Sequence, residues 1–238
     1  MKYLIFNIKA NKTLDNFLEY KEEFLKLETK HQLIIAPSNP FLYIFKDLDL
    51  IHLAAQDVSK YKEGSFTGEV TAAQISSLNT KYVIIGHSER KNLETEKDLI
   101  AKITNAAEYN MKVIYCIGET KEEFLRGKTQ YVLEKQIAKI LNNIPSKILH
   151  NLIIAYEPVW SIGTGQLPDS NRLFEVINFI KTIIKSYYYQ DLPVVYGGSV
   201  TPKNIQILKQ ISPIDGFLIG TASLDISSIK LLIESLNG

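Results

Sequence analysis

Short apolar runs recur along the chain, separated by longer stretches in which apolar residues return every three or four positions. The runs cover residues 3–8, 32–36, 51–55, 82–85, 113–117, 152–156, 194–196 and 217–219. Each is near-continuous rather than alternating, the pattern of strands buried on both faces of a parallel sheet. Stretches 15–27, 97–109, 121–141, 171–187 and 225–236 carry the period of amphipathic helices. Strand–helix alternation through eight runs predicts a (β/α)8 barrel, an α/β fold with eight parallel strands closed into a cylinder and helices outside. The alternative is an open doubly wound sheet. It would favour a GxGxxG turn after an early strand, whereas the first run ends in Asn7-Ile8-Lys9. No linker-like composition divides the sequence, so residues 1–238 are expected to form a single barrel domain.

Composition narrows the functional classes. With 238 residues and 45% hydrophobic content, the chain can bury a large core. Its 27 basic and 26 acidic side chains leave a net charge of +1, which gives no electrostatic reason to expect nucleic acid or a membrane surface as partner. Cys116 is the only cysteine, so an internal disulfide is impossible and a reducing compartment fits. The first residues meet a polar side chain, Asn7, too early for a secretory signal, and no apolar stretch is long enough to span a bilayer. A cytoplasmic protein is expected.

A barrel gathers its chemistry at the carboxyl ends of its strands. The sixth run stops at Glu157-Pro158. Proline disfavours helical angles in the residue before it, which holds Glu157 at the strand's end. Burial there would raise its pKa toward that of a base usable near neutral pH. The first strand ends at Asn7 and Lys9. Lys9 reads either as a solvated lysine or as fixed positive charge for an anionic ligand, and Asn7 as a polar group satisfying nearby backbone. The fourth ends Gly86-His87-Ser88-Glu89-Arg90. His87 before a helix start faces partial positive charge, which disfavours the imidazolium and suits a neutral ring that donates one hydrogen bond. Glu89 is either a capping acid or a partner that orients Lys9. Gly197-Gly198-Ser199 and Gly220-Thr221 follow the last two strands, where glycines and helix-start amides favour a phosphate. Gly163-Thr164-Gly165 reads as a mobile loop or as a lid over that phosphate.

Taken in order and spacing, these motifs resemble one family. They are Asn7-x-Lys9, Phe66-Thr67-Gly68-Glu69, Gly86-His87-Ser88-Glu89-Arg90, Cys116-Ile117-Gly118-Glu119, the run from Ala155 to Gly165, Tyr196-Gly197-Gly198-Ser199-Val200 and Asp215-Gly216-Phe217-Leu218-Ile219-Gly220. The family is triosephosphate isomerase, and the likeness covers essentially the whole chain. It implies a single-domain TIM barrel that interconverts dihydroxyacetone phosphate and D-glyceraldehyde 3-phosphate without cofactor or metal. It implies a place in glycolysis, gluconeogenesis and pentose phosphate metabolism, and a homodimer. By that likeness Glu157 is the base, His87 the neutral electrophile and Lys9 the positive charge, with Asn7 and Glu89 beside them. Gly163, Ser199, Gly220 and Thr221 hold phosphate through backbone amides. Residues 158–166, including Pro158, Trp160 and Gly165, form a lid latched by Tyr196 and Ser199. Loop 64–69, with Phe66 and Thr67, enters the neighbouring subunit; alone, Phe66 would read as an exposed aromatic.

Several positions depart from the family's pattern. Ile8 stands where tryptophan is usual, Thr221 replaces a glycine, Lys91 an arginine, and Gln166-Leu167-Pro168 is an unusual second hinge. The chain is also slightly short for the family. Two other functions compete. A Schiff-base aldolase would want a desolvated lysine inside the barrel, commonly on the sixth strand, where Glu157 stands instead. A non-enzymatic phosphosugar-binding barrel would be suggested by loss of Glu157, His87 or Lys9, and all three are present.

Overall fold

The computed structural model describes residues 1–46, 48 and 50–237. Its eight strands are β1 (Tyr3–Asn7), β2 (Gln32–Ala36), β3 (Ile51–Ala55), β4 (Tyr82–Ile85), β5 (Lys112–Ile117), β6 (Leu152–Tyr156), β7 (Val194–Tyr196) and β8 (Gly216–Ile219). Each is parallel to its neighbours, and the order β1 through β8 closes on itself into a barrel. The seam pairs Tyr3 with Gly216 and Phe6 with Ile219. Gly216 is required there, because a Cβ would overlap the backbone of Tyr3.

Two apolar layers explain the unbroken hydrophobic runs. Ile5, Ile34, Ala54, Ile84, Ile114, Ile153, Val195 and Leu218 belong to a compact inner cluster. Their neighbours along the strands, such as Leu4, Phe6, Leu33, Val83 and Ile154, belong to the larger cluster shared with the helices. Alternation is present in direction but not in polarity, because both faces are covered. Each fully buried aliphatic or aromatic side chain contributes about 1.5–3 kcal/mol relative to exposure.

The helices are α1 (Leu14–Phe24), α2 (Ala72–Ser76), α3 (Glu96–Glu108), α4 (Lys121–Leu125), α5 (Thr129–Leu141), α6 (Ser170–Tyr188), α7 (Ile205–Leu208) and α8 (Ile226–Asn237). The single helix expected over 121–141 is two. Gly127, at φ 67°, takes a left-handed conformation just beyond α4 and breaks the run. The first strand stops at Asn7 rather than Ile8, because Lys9 turns the chain with φ 55°. Ile8 still donates its N–H to the Ala36 carbonyl and is completely buried. Helices α2 and α7 and the 3-10 turns were not expected; they are too short to show a period. Thr71, Thr95 and Thr120 start α2, α3 and α4 with reciprocal caps, each side chain accepting from the N–H three residues on.

Candidate active site

Strand β6 delivers Glu157 to one end of the barrel. Its N–H donates to the Ile117 carbonyl at 2.7 Å, which keeps the residue in line with β5 and β6. Two glycines make the space it occupies. A Cβ on Gly118 would overlap the Glu157 carbonyl, and one on Gly197 would press on the Glu157 side chain. Glu157 is 3% exposed. Burial raises its pKa above the ordinary carboxylate range, partly offset by His87, by the Ser88 amide at 3.4 Å, and by smaller contributions from Cys116 and Lys9.

His87 comes from the end of β4 and caps the 3-10 turn Ser88–Arg90. Its Nδ1 accepts the Glu89 amide hydrogen at 3.3 Å, so that nitrogen carries no proton. The ring's remaining hydrogen then sits on Nε2, which lies 3.3 Å from Oε1 of Glu157. The turn thus selects which ring nitrogen accepts.

Lys9 follows β1 in a left-handed conformation, which costs a non-glycine residue about 1–2 kcal/mol. Three hydrogen bonds hold the turn. The Lys9 amide donates to Asn7 Oδ1 at 3.2 Å, and the Gln56 side-chain amide donates to the carbonyls of Lys9 and Ala36 at 3.0 and 2.9 Å. Nζ of Lys9 reaches Glu89 Oε1 at 2.5 Å. Burial would raise the Glu89 pKa, but the hydrogen bond and charge of Lys9 outweigh it and leave the carboxyl below its usual value. Of the two readings of Glu89, the pairing with Lys9 is the one the geometry displays.

Asn7, Lys9, His87, Glu157, Gly163, Gly165, Ser199, Gly220 and Thr221 line one cavity of about 280 Å³. A larger cavity, about 360 Å³, lies behind it between α3 and α5. It touches Glu157 from the outer side but contains neither Lys9 nor His87 nor the loops after β7 and β8, so the smaller cavity holds the convergent chemistry. Thr221 opens the 3-10 turn Thr221–Leu224 and is not among the residues with positive φ, so a β-branched side chain is accommodated there. Its hydroxyl makes no hydrogen bond within the protein among the described residues.

The segment from Pro158 to Gln166 lies docked against the loop after β7. Ser199 Oγ donates to the Ser161 carbonyl at 2.6 Å and accepts from the Gly165 amide at 3.1 Å. The Ser199 amide is directed at Ser161 Oγ over a long 3.5 Å. On the far side, Trp160 Nε1 donates to Glu119 Oε1 at 3.0 Å, and Tyr156 donates to the same oxygen at 3.2 Å. Glu119 is fully buried, and burial raises its pKa against these hydrogen bonds. Tyr196 lies behind the cavity wall, its phenol pushed up to about 12 by burial, so it is a protonated donor at neutral pH. Pro158, Trp160 and Tyr196 line no part of the cavity itself.

Phe66 and Thr67 also lie outside that lining. Phe66 is 41% exposed and stacks on Tyr61 with ring centroids 4.0 Å apart. Sequence reading gave no role to Gln56, Glu119 or Ser161. The first two stand at strand ends, where position alone marked them; Ser161 carried no signal apart from its place in the loop. Among the described residues, no group of three or more His, Cys, Asp or Glu is arranged to hold a metal ion, and no helix is long and apolar enough to cross a membrane.

The family model for triosephosphate isomerase matches residues 2–236. The chain is 37% identical to triosephosphate isomerase of Mycoplasmopsis pulmonis, covering 97% of this chain and 96% of that one. It is 40% identical to the enzyme of the same name from Mesomycoplasma hyopneumoniae, over 98% and 99% of the two chains. A third relative of that name, from Buchnera aphidicola subsp. Schizaphis graminum, is 40% identical over 94% of this chain and 92% of its own.

Proposed function

The chain belongs to the triosephosphate isomerase family and is an isomerase, and from that membership we propose that the 280 Å³ cavity interconverts dihydroxyacetone phosphate and D-glyceraldehyde 3-phosphate. The observation that carries the reading is the facing pair of Glu157 and His87 in a cavity shared with Lys9 and three backbone loops.

The chemistry follows from what each group can do. Glu157 takes a proton from the carbon next to the substrate carbonyl. The electron pair left behind moves into a new C=C bond, and the carbonyl oxygen gains negative charge. His87 Nε2–H and the Lys9 ammonium stand ready to stabilise that oxygen, and donors already in place cost no reorganisation as charge develops. The protonated Glu157 then returns its proton to the neighbouring carbon, while His87 moves a proton between the two oxygens. Atoms balance with no cofactor, because the reaction only relocates hydrogens. A buried carboxylate with a raised pKa suits this work, since a base is most effective when its pKa lies near the working pH.

The amides of Gly163, Ser199, Gly220 and Thr221 hold the phosphate. The long Ser199 contact is weak enough for a dianion oxygen to replace it. Thr221 brings a hydroxyl in addition to its amide. Binding energy from the phosphate end favours the docked lid, which keeps water from an enediolate prone to lose phosphate. Lys9 argues against a Schiff-base aldolase: its ammonium is salt-bridged to Glu89 rather than desolvated within the barrel. Loop 64–69 projects Phe66 into solvent, which supports a homodimer built through that loop. A cytoplasmic enzyme of glycolysis and gluconeogenesis is the setting this activity fits.

Conversion of glyceraldehyde 3-phosphate, coupled to glycerol phosphate oxidation, tests the activity. Turnover that phosphoglycolate inhibits is expected. No turnover by the pure protein would overturn the proposal.

A further inference from the structure

The hydroxyl of Ser161 occupies a position of unusual connectivity. The residue is fully buried inside the docked lid. A serine hydroxyl has one hydrogen to donate and two lone pairs to accept with, and here all three are engaged. Oγ donates to the Gln166 carbonyl at 2.6 Å, at the far end of the lid. It lies 3.3 Å from the Tyr196 hydroxyl; with its own hydrogen committed to Gln166, it is the acceptor of that bond. The Ser199 amide approaches at 3.5 Å. One side chain therefore joins the middle and the far end of the lid to Tyr196, at the end of β7, and to Ser199, in the loop after it.

Two further observations show that this place is built. A Cβ on Gly198 would overlap the Tyr196 hydroxyl and come within 2.9 Å of Ser161 Oγ, so a glycine clears room for the pair. Among the described residues, Ser161 Oγ is the only hydrogen-bond partner of the Tyr196 hydroxyl.

We propose that Ser161 is a positioning residue for the reaction, its side chain being the pin through which Tyr196 grips the lid. Among the described residues the Tyr196 hydroxyl makes no other hydrogen bond to the lid, and the hairpin between Ser161 and Gln166 is closed by the same Ser161 atom. This proposal rests on the reading of the cavity as an isomerase site. It assigns to Ser161 a task that the Ser199 hydroxyl does not share, since Ser199 binds backbone groups of the lid directly.

The lid carries its own reporter, because Trp160 is the only tryptophan in the chain. In stopped-flow binding of phosphoglycolate followed by Trp160 emission, Ser161→Ala is expected to raise Kd about tenfold, the scale of losing one or two hydrogen bonds. The change should fall on the dissociation rate. Tyr196→Phe should show a smaller increase, about fivefold. The double variant should match Ser161→Ala alone within about twofold, because the two side chains act as one unit. Ser161→Cys, which keeps a weak donor and acceptor, should recover part of the loss. Multiplying effects in the double variant, or a wild-type Kd in either single variant, would overturn the pin. If Ser161→Ala does not fold, Tyr196→Phe, which keeps the ring, decides by itself.

Amide hydrogen exchange on the free protein separates the pin from the functional reading. Faster exchange at Gly165 and Gln166 in Ser161→Ala supports the pin, whatever the protein's activity. Unchanged exchange overturns it and leaves the isomerase reading standing. Absence of turnover in the wild-type protein overturns that reading alone.

Discussion

Nε2 of His87 stands 3.3 Å from Oε1 of Glu157, with the opposite ring nitrogen occupied by the Glu89 amide. A short backbone turn therefore decides which face of the imidazole carries its proton, and directs that proton at the carboxylate the substrate would displace it from. Glu157 and His87 face each other directly in the cavity that both line.

We predict that Glu157→Gln folds and still binds phosphoglycolate but loses three or more orders of magnitude in kcat, since a positioned base alone contributes about 10²–10⁴. The coupled isomerase assay measures it. A variant within tenfold of wild type would remove Glu157 from the mechanism.

The same substitution is expected to stabilise the protein. Burial raises the Glu157 pKa, so the folded state holds its proton more tightly than the unfolded chain does. Wild type then loses stability as pH rises from the ordinary carboxylate value of 4.5 through the raised value, and the glutamine variant does not. The variant should be more stable than wild type at pH 8, and the gap should shrink toward pH 4. Thermal unfolding at the two pH values tests this; a gap that closes toward high pH would refute it.

The pH–rate profile should show the same group. Activity requires the carboxylate, so kcat is expected to fall as pH drops through the raised pKa, at a higher pH than an ordinary glutamate would give. An acid limb at or below the usual glutamate value would contradict the burial argument.

Thr221→Asp should raise KM by about two to three orders of magnitude. It places a carboxylate in the cavity wall where phosphate is proposed to sit, and like charges about 4 Å apart at a protein surface repel by roughly 4 kcal/mol. An unchanged KM would place the phosphate elsewhere.

Gly118→Ala tests the packing behind the site. Its Cβ would overlap the Glu157 carbonyl, and relief requires β5 and β6 to separate at their ends. A loss of about 2–4 kcal/mol is expected by denaturant unfolding. A neutral effect would mean that the strand ends yield freely.

The barrel was legible because a parallel sheet covered on both faces writes itself as uninterrupted apolar runs. Five of the eight strands match those runs residue for residue, β3 and β6 among them. The break between α4 and α5 was missed although Gly127 marks it, because the apolar period continues in phase across the gap. Strand ends pointed to Asn7, Lys9, His87, Glu157, Ser199 and Thr221, and these do converge on one cavity. What remained hidden was the supporting polar structure. Gln56, Glu119 and Ser161 act through hydrogen bonds that reach segments distant in sequence, and such bonds leave no periodic trace.

The seam between β1 and β8 gives the barrel a particular relation to its own synthesis. Lys9 precedes Thr221 by nearly the whole length of the barrel, yet both line the one cavity. Until β8 has emerged, β1 has an unpaired edge and the cavity lacks one wall. The nascent barrel must therefore wait, open along one side, for β8 before the cavity exists at all.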